Sequence, residues 1–237
     1  MKKKTPTPDF QKWEKWQQSI KQIDDELQSL DRARRVYFRF CEILEKNSKL
    51  RAYWRDTFFD WLSYNYCIRL GMGIRRLVDK CSSKLNIYKL LLDIQVHTLQ
   101  INVDNYAKYL ARQKLNETGQ KPSKHHANHY RELALRAFKK AFCRRRSTLL
   151  PKDLNKDIQS VEKVKAKIEK YVDENWAHMG NRNVPAPTTK DAHKCLDTLL
   201  NIYNKYSLLL CKGPFLPLGD SEIFLRWEAP FLIPWIG

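Results

Sequence analysis

Between Pro8 and Pro122 the chain has no proline, and the glycines in that stretch are Gly71, Gly73 and Gly119 alone. Proline removes a backbone donor and glycine adds backbone entropy, so both punctuate helices. A stretch this long and almost free of them, with apolar residues at three- and four-residue steps, predicts long helices. Over about 9 to 46, Trp13, Trp16, Ile20, Ile23, Leu27 and Leu30 share one face. A helix with one apolar face buries it against others, as in a bundle.

The run 53–80, "YWRDTFFDWLSYNYCIRLGMGIRRLVDK", is apolar nearly all round, from Phe58, Phe59 and Trp61 to Ile68 and Leu70. That predicts a central helix with neighbours on every side. Its last turns carry Arg75, Arg76, Asp79 and Lys80, and steps of three and four let Asp79 pair with either arginine. A third helix is predicted over 86–115, stopped by the Gly and Pro of "NETGQKPSK". The next, about 125 to 146, is basic: residues 121–150 hold nine Lys/Arg and one acid, Glu132. Leu135, Phe138 and Phe142 fall on one face, Arg136, Lys140 and Arg144 on the opposite one, and Pro151 closes the helix. Leu154, Ile158, Val161, Ile168 and Val172 form the buried stripe of a helix near 153–176. A last helix begins near Thr188 or Thr189, where Thr188 and Asp191 resemble a capping pair. Cys195, Leu196, Leu199, Tyr203, Tyr206 and Leu210 continue its apolar face towards Gly213. Strand signals are nearly absent. The expected architecture is one all-α domain over 1–237, a bundle of five to seven helices with a basic insertion at 117–152. Its apolar tail at 213–237, with four prolines, is expected to pack on the bundle or on a partner.

With 237 residues, 43% of them hydrophobic and 12% aromatic, the chain can build a sizeable core and is not compositionally disordered. No apolar run approaches the roughly 20 residues that span a bilayer. The basic N-terminus runs into further charge where a signal peptide would need its apolar stretch, so a cytoplasmic protein without a membrane partner is expected. Cys41, Cys67, Cys81, Cys143, Cys195 and Cys211 are scattered, without a C-x-x-C pair, and read as reduced, mostly buried thiols. The formal net charge is +18, which attracts polyanions, nucleic acid foremost, and says nothing about chemistry.

Chemistry enters at "KYVDENWAHMGNRNVPAPTT", residues 170–189, where a charged amphipathic run ends on a histidine. An imidazole can move protons near neutral pH. Cleavage of RNA by its own 2′-hydroxyl needs such a group, together with a cation for the charge that develops on phosphate. The plain alternative is a histidine that satisfies the open carbonyls of a helix end.

Two stretches carry a resemblance. "WLSYNYCIRLGMGIRRLVDK" resembles the central helix of the AbiU2-like branch of the HEPN superfamily, which ends in an Arg-Leu-Val/Leu-Asp motif. "YVDENWAH" leading into "PTTKDAHKCLDTLLNIYNKYSLLL" is similar to that branch's Ala-His turn and the helix after it. The resemblance implies a HEPN-like helical bundle of bacterial abortive infection or toxin–antitoxin systems, a homodimer that brings two such turns face to face, and metal-independent RNA cleavage. Nuclease-active HEPN proteins carry an arginine separated from the histidine by four to six residues. Here those places hold Asp173, Val172 and Tyr171, and no other histidine of the chain has an arginine at that spacing. The ribonuclease reading therefore places His178 as acid/base and takes its cation from elsewhere. Arg75 or Arg76 come first, on a helix that the resemblance sets against the turn, then Arg182 in the turn itself. Asp173 or Asp79 would orient the imidazole or pair with an arginine. The alternative reading of the same residues is an Arg–Asp–His network that pins two helices together.

The basic face of Arg136, Lys140 and Arg144, joined by Arg182, fits contacts to phosphate that carry no sequence information. His125 and His129, one helical turn apart, have chelating spacing, but no third ligand stands at a definite spacing and H-E-x-x-H is absent. No metal or other cofactor is expected, and no Gly-rich phosphate loop, G-x-S-x-G elbow or dinucleotide fingerprint occurs; the "GMG" at Gly71–Gly73 is isolated. Two further function classes remain open beside the nuclease. One is a catalytically silent HEPN-like module that binds RNA, a cognate antitoxin or another partner protein. The other is a structural subunit with its partner on the apolar tail.

Overall fold

The computed structural model describes residues 7–47, 58–81, 86–119, 123–142, 147–172 and 189–210. Among them are seven α-helices and one short 3-10 turn: α1 (Phe10–Lys46), α2 (Phe58–Val78), α3 (Ile87–Val96), the 3-10 turn (Thr98–Gln100), α4 (Val103–Thr118), α5 (Lys124–Phe142), α6 (Pro151–Val172) and α7 (Thr189–Leu210). The all-α expectation holds, with an isolated bridge between Asn102 and Thr148 as the one β-type pairing of the described residues. No described helix is long and apolar enough to cross a membrane.

Asp9 starts α1 by accepting a hydrogen bond from the Lys12 amide at 3.0 Å. The six apolar residues that the heptad-like spacing singled out on α1 are all buried. Each large apolar side chain taken out of water contributes about 1.5–3 kcal/mol, which is what holds α1 to the bundle. Its first turns pack Trp13 in a stack with Tyr106 and Tyr109 of α4, at ring distances of 5.7 and 5.3 Å. The Trp16 indole donates to Asp93 of α3 at 2.7 Å.

Side-chain bridges set the directions. Tyr37 meets Ser63, and Glu26 meets Arg76, so α1 and α2 run antiparallel. Asp197 meets Arg34, and the Leu210 carbonyl meets Gln17, so α7 also runs against α1. Lys167 pairs with Asp191, and Asp157 accepts from Lys205 and Tyr206, so α6 and α7 are antiparallel as well. One end of the bundle thus gathers the start of α1 and the end of α7. The opposite end gathers the end of α6, the start of α7 and the first half of α2.

Several expectations are corrected. The predicted helix over 86–115 is two helices. Thr98 donates back to the Ile94 and Gln95 carbonyls, and Asn102 caps α4 by accepting from the Asn105 amide at 2.8 Å. Such local side-chain bonds to the backbone compete with a continued helix. Asn102 is buried, and the backbone beside it pairs with 147–149 through Val103–Ser147 and Leu149–Ile101 bonds of 2.8 and 3.0 Å. Pro151 does not close α5; it opens α6 as its first residue, where the missing N–H has no intrahelical partner to lose. On α5 the buried residues are Ala134 and Phe138, whereas Leu135 is 44% exposed, because the stripe that meets α4 and α7 is turned one residue away.

Nor is α2 buried on every side. Its second half, with Leu70, Gly71, Gly73, Ile74, Leu77 and Val78, is packed among α1, α3, α6 and α7. Among the described residues its first half packs on α1 and on the start of α7, and Trp61 and Tyr64 are 58% and 55% exposed. Of the four described cysteines, all free thiols, Cys195 alone is buried; Cys41 and Cys67 are half-buried and Cys81 is exposed. The stripes of α6 and α7 are buried as predicted. Residues 213–237 and Thr188 lie outside the described residues, as do Cys143 and Cys211.

Candidate functional site

Asp173, His178 and Arg182 lie between Val172 and Thr189, outside the described residues, and so does Arg144. What the structure gives is the frame around them. The Lys167 ammonium holds Asp191 at 2.6 Å, tying the last turns of α6 to the first turn of α7. Thr189 lies 3.7 Å from Cys67 of α2, and His193 reaches Tyr66 of α2 at 2.6 Å. Val172 and Thr189, the described residues that flank that segment, therefore lie at the same end of the bundle, with Thr189 beside the middle of α2.

At that end a cluster absent from the sequence reading comes together. Tyr66 stacks on Tyr37 with ring centroids 4.1 Å apart and planes 6° from parallel, and Phe38 covers His193 at 4.9 Å. Burial raises the Tyr66 phenol well above its ordinary range, so it stays protonated. Burial, and then the positive Arg34, lower the His193 pKa, so the ring stays neutral. A protonated phenol and a neutral imidazole share one hydrogen bond between the Tyr66 hydroxyl and Nε2, with the tautomer setting which of them donates. Arg34 donates to Asp31 and to Asp197, both at 2.6 Å, and Arg35 donates to Asp31 at 3.0 Å. Burial works against the Arg34 charge, but its hydrogen bonds to the two carboxylates and their negative charge outweigh it and its pKa is raised. The sequence carried half of this signal: His193 and Asp197 are one turn apart on α7. The other half, Arg34 and Tyr66, comes from helices far away in the chain.

Arg75 and Arg76 sit elsewhere. They follow Tyr66 and Cys67 by nine residues, about 13 Å along the helix axis. Arg75 is half-buried. Arg76 is exposed and donates to Glu26 of α1 at 2.6 Å. The expected pairing of Arg76 with Asp79 does not form: α2 ends at Val78, and the Asp79 carboxylate accepts from the Cys81 amide at 2.8 Å in a turn of its own. The Arg76 and Asp79 carbonyls both receive Asn86, which starts α3. On α5, Arg136 and Lys140 are exposed; Arg136 has Glu132 at 3.9 Å. His125 and His129 are exposed on the same helix, and no group of three or more metal-ligating side chains occurs among the described residues.

An all-α bundle in which α6 and α7 run antiparallel and pack on α2, the helix that carries Arg76, Leu77 and Val78, has the architecture expected of a HEPN-like domain. Residues 14–224 match the family model for AbiU2, so the chain belongs to the AbiU2 family of HEPN-like abortive-infection proteins. No curated protein and no solved structure matches the chain.

Proposed function

We propose that this AbiU2-family protein is a metal-independent endoribonuclease of prokaryotic defence, of toxin–antitoxin type, in which His178 is the proton-transfer group. The observation that supports this most is the frame. The buried stripes of the antiparallel α6 and α7 pack in one bundle, with Lys167 and Asp191 paired at 2.6 Å, so the segment bearing Asp173, His178 and Arg182 is bounded at both sides by packed helices at one end of the bundle. His178 would take the proton from the attacking 2′-hydroxyl or give one to the leaving 5′-oxygen. The cation is a non-adjacent arginine: Arg75 or Arg76, with Arg182 as the alternative inside the segment. Arg34 joins them because it lies against the first half of α7, although two carboxylates already balance its charge. Asp173 or Asp79 would orient the ring. A homodimer with facing turns goes with this reading, and Arg136, Lys140, Arg144 and Arg182 would carry phosphate contacts.

The second reading, a catalytically silent module binding RNA or a partner protein such as an antitoxin, is favoured by one observation. No arginine precedes His178 at the four-to-six-residue spacing, while the α5 cations are exposed. Total RNA incubated with chelator and either the native chain or His178→Ala separates the two. Loss of cleavage by about 10²–10⁴-fold in the variant is expected for the enzyme. RNA left intact by both proteins, with binding that weakens as salt rises, establishes the silent module instead. Arg34→Ala, Arg75→Ala and Arg76→Ala, run beside it, locate the cation.

A further inference from the structure

The first half of α2 and the second half of α1 leave an open furrow between them. Val36, Tyr37, Phe40, Phe58, Trp61 and Leu62 line a cavity of about 360 Å³ whose walls are almost wholly apolar. Water in contact with that much continuous apolar surface is unfavourable, and such surfaces mark binding sites. At its lip Arg69 is exposed, and its partner is a neutral hydroxyl, that of Ser29 at 2.6 Å. Arg32 is exposed on the neighbouring turn of α1. The furrow therefore fits an apolar segment that carries acidic side chains beside its anchors.

The chain itself contains one. Residues 213–237 combine Phe224, Leu225, Trp227, Phe231, Ile233 and Trp235 with three acids, Asp220, Glu222 and Glu228, and a single base, Arg226, in a protein whose formal charge is otherwise strongly positive. Pro230 and Pro234 have no N–H to satisfy, and proline-bearing segments dock on aromatic-lined grooves with little loss of entropy. Reach is sufficient. The Leu210 carbonyl accepts from Gln17 at 3.0 Å, which places the departure point on α1. From Gln17 to Tyr37, α1 rises about 30 Å. Trp227 follows Leu210 by seventeen residues, which span about 50 Å when extended. Other exposed apolar side chains, among them Val96, Leu99, Leu135 and Leu150, lie outside the lining of this cavity.

We propose that the segment 222–236 of the same chain docks in the α1–α2 furrow, with its aromatic residues against Tyr37, Phe40 and Trp61 and its acids towards Arg69 and Arg32. This holds whether or not the protein cleaves RNA, since it concerns none of the residues placed in that chemistry.

The test uses the full chain, with a benzophenone amino acid in place of the exposed Trp61. Irradiation in dilute solution followed by peptide mass spectrometry is expected to give cross-links within one chain to residues 222–236. Cross-links between chains, cross-links confined to 48–57, or none to the tail overturn the proposal. A second readout is tryptic cleavage after Arg226. Leu62→Asp, checked for retained helicity, and the surface variant Arg69→Glu are each expected to speed it, the former by about tenfold or more. Unchanged cleavage in both variants overturns the proposal as well.

Discussion

His193 shows how a single side chain reports its surroundings. Exposed, its imidazole would gain a proton as the pH falls through about 6.5. Here burial and Arg34 hold its pKa lower, and its Nε2 is engaged by the Tyr66 hydroxyl at 2.6 Å. The unfolded chain therefore binds this proton more readily than the folded one. The contribution of His193 is fully present above the unfolded pKa and is lost as the pH falls below it towards the folded value. Urea unfolding followed at pH 7.5 and at pH 5.5 is expected to show the native protein weakening more than His193→Gln does, which keeps a polar partner for Tyr66 but cannot titrate. Equal pH dependence of the two proteins would remove His193 from that account.

At the scale of elements, the α1–α2 contact depends on a residue with no side chain. A Cβ built on Gly73 would run into the methyl groups of Leu30, which is fully buried, and lie 3.1 Å from a Glu26 carboxylate oxygen. The same Glu26 receives Arg76, so both ends of the contact are committed. Alanine is the better helix former by about 1 kcal/mol. Overpacking a filled core costs about 1–3 kcal/mol, and here the obstacle is a side chain without free space. Gly73→Ala is thus expected to destabilise by about 1 kcal/mol net in denaturant unfolding, against its helix propensity, with Gly119→Ala as a contrast. Gly119 ends α4 at φ 68° with open space around it, so alanine there costs conformational strain rather than packing. In sequence, "GMG" looked like an isolated pair of glycines; its meaning is that α1 crosses close by.

For the whole molecule, the charge of +18 and the exposed Arg136 and Lys140 lead to a quantitative expectation for polyanions. If the α5 face contacts RNA phosphates, binding of a single-stranded RNA falls linearly with the logarithm of salt concentration, with a slope of about −0.7 per phosphate contacted. Arg136→Ala with Lys140→Ala is then expected to weaken binding of every RNA alike and to flatten that slope by between one and two. A change confined to particular sequences would contradict contact with the backbone. The measurement is fluorescence anisotropy of labelled RNA across a salt series.

How much of this could be read in advance divides along physical lines. Helix type, the buried stripes of α1, α6 and α7, and the family were legible, because 3.6-residue periodicity and short motifs are local properties of a sequence. The break at 97–102 and the start at Pro151 were missed, although their cause is local too: asparagine and threonine side chains bonding to the backbone, and a proline where its lost donor does no harm. Which faces stay open was not legible. Trp61 and Tyr64 are the same residue types as the buried Trp13 and Tyr66, and only the packing of the helices decides that one pair meets solvent and the other a core. The same holds at the site. Sequence spacing alone showed that no arginine accompanies His178, whereas the meeting of Arg34, Tyr66 and His193, contributed by α1, α2 and α7, exists only once the three helices have packed, because contact between residues distant along a chain is a property of packing and not of local pattern.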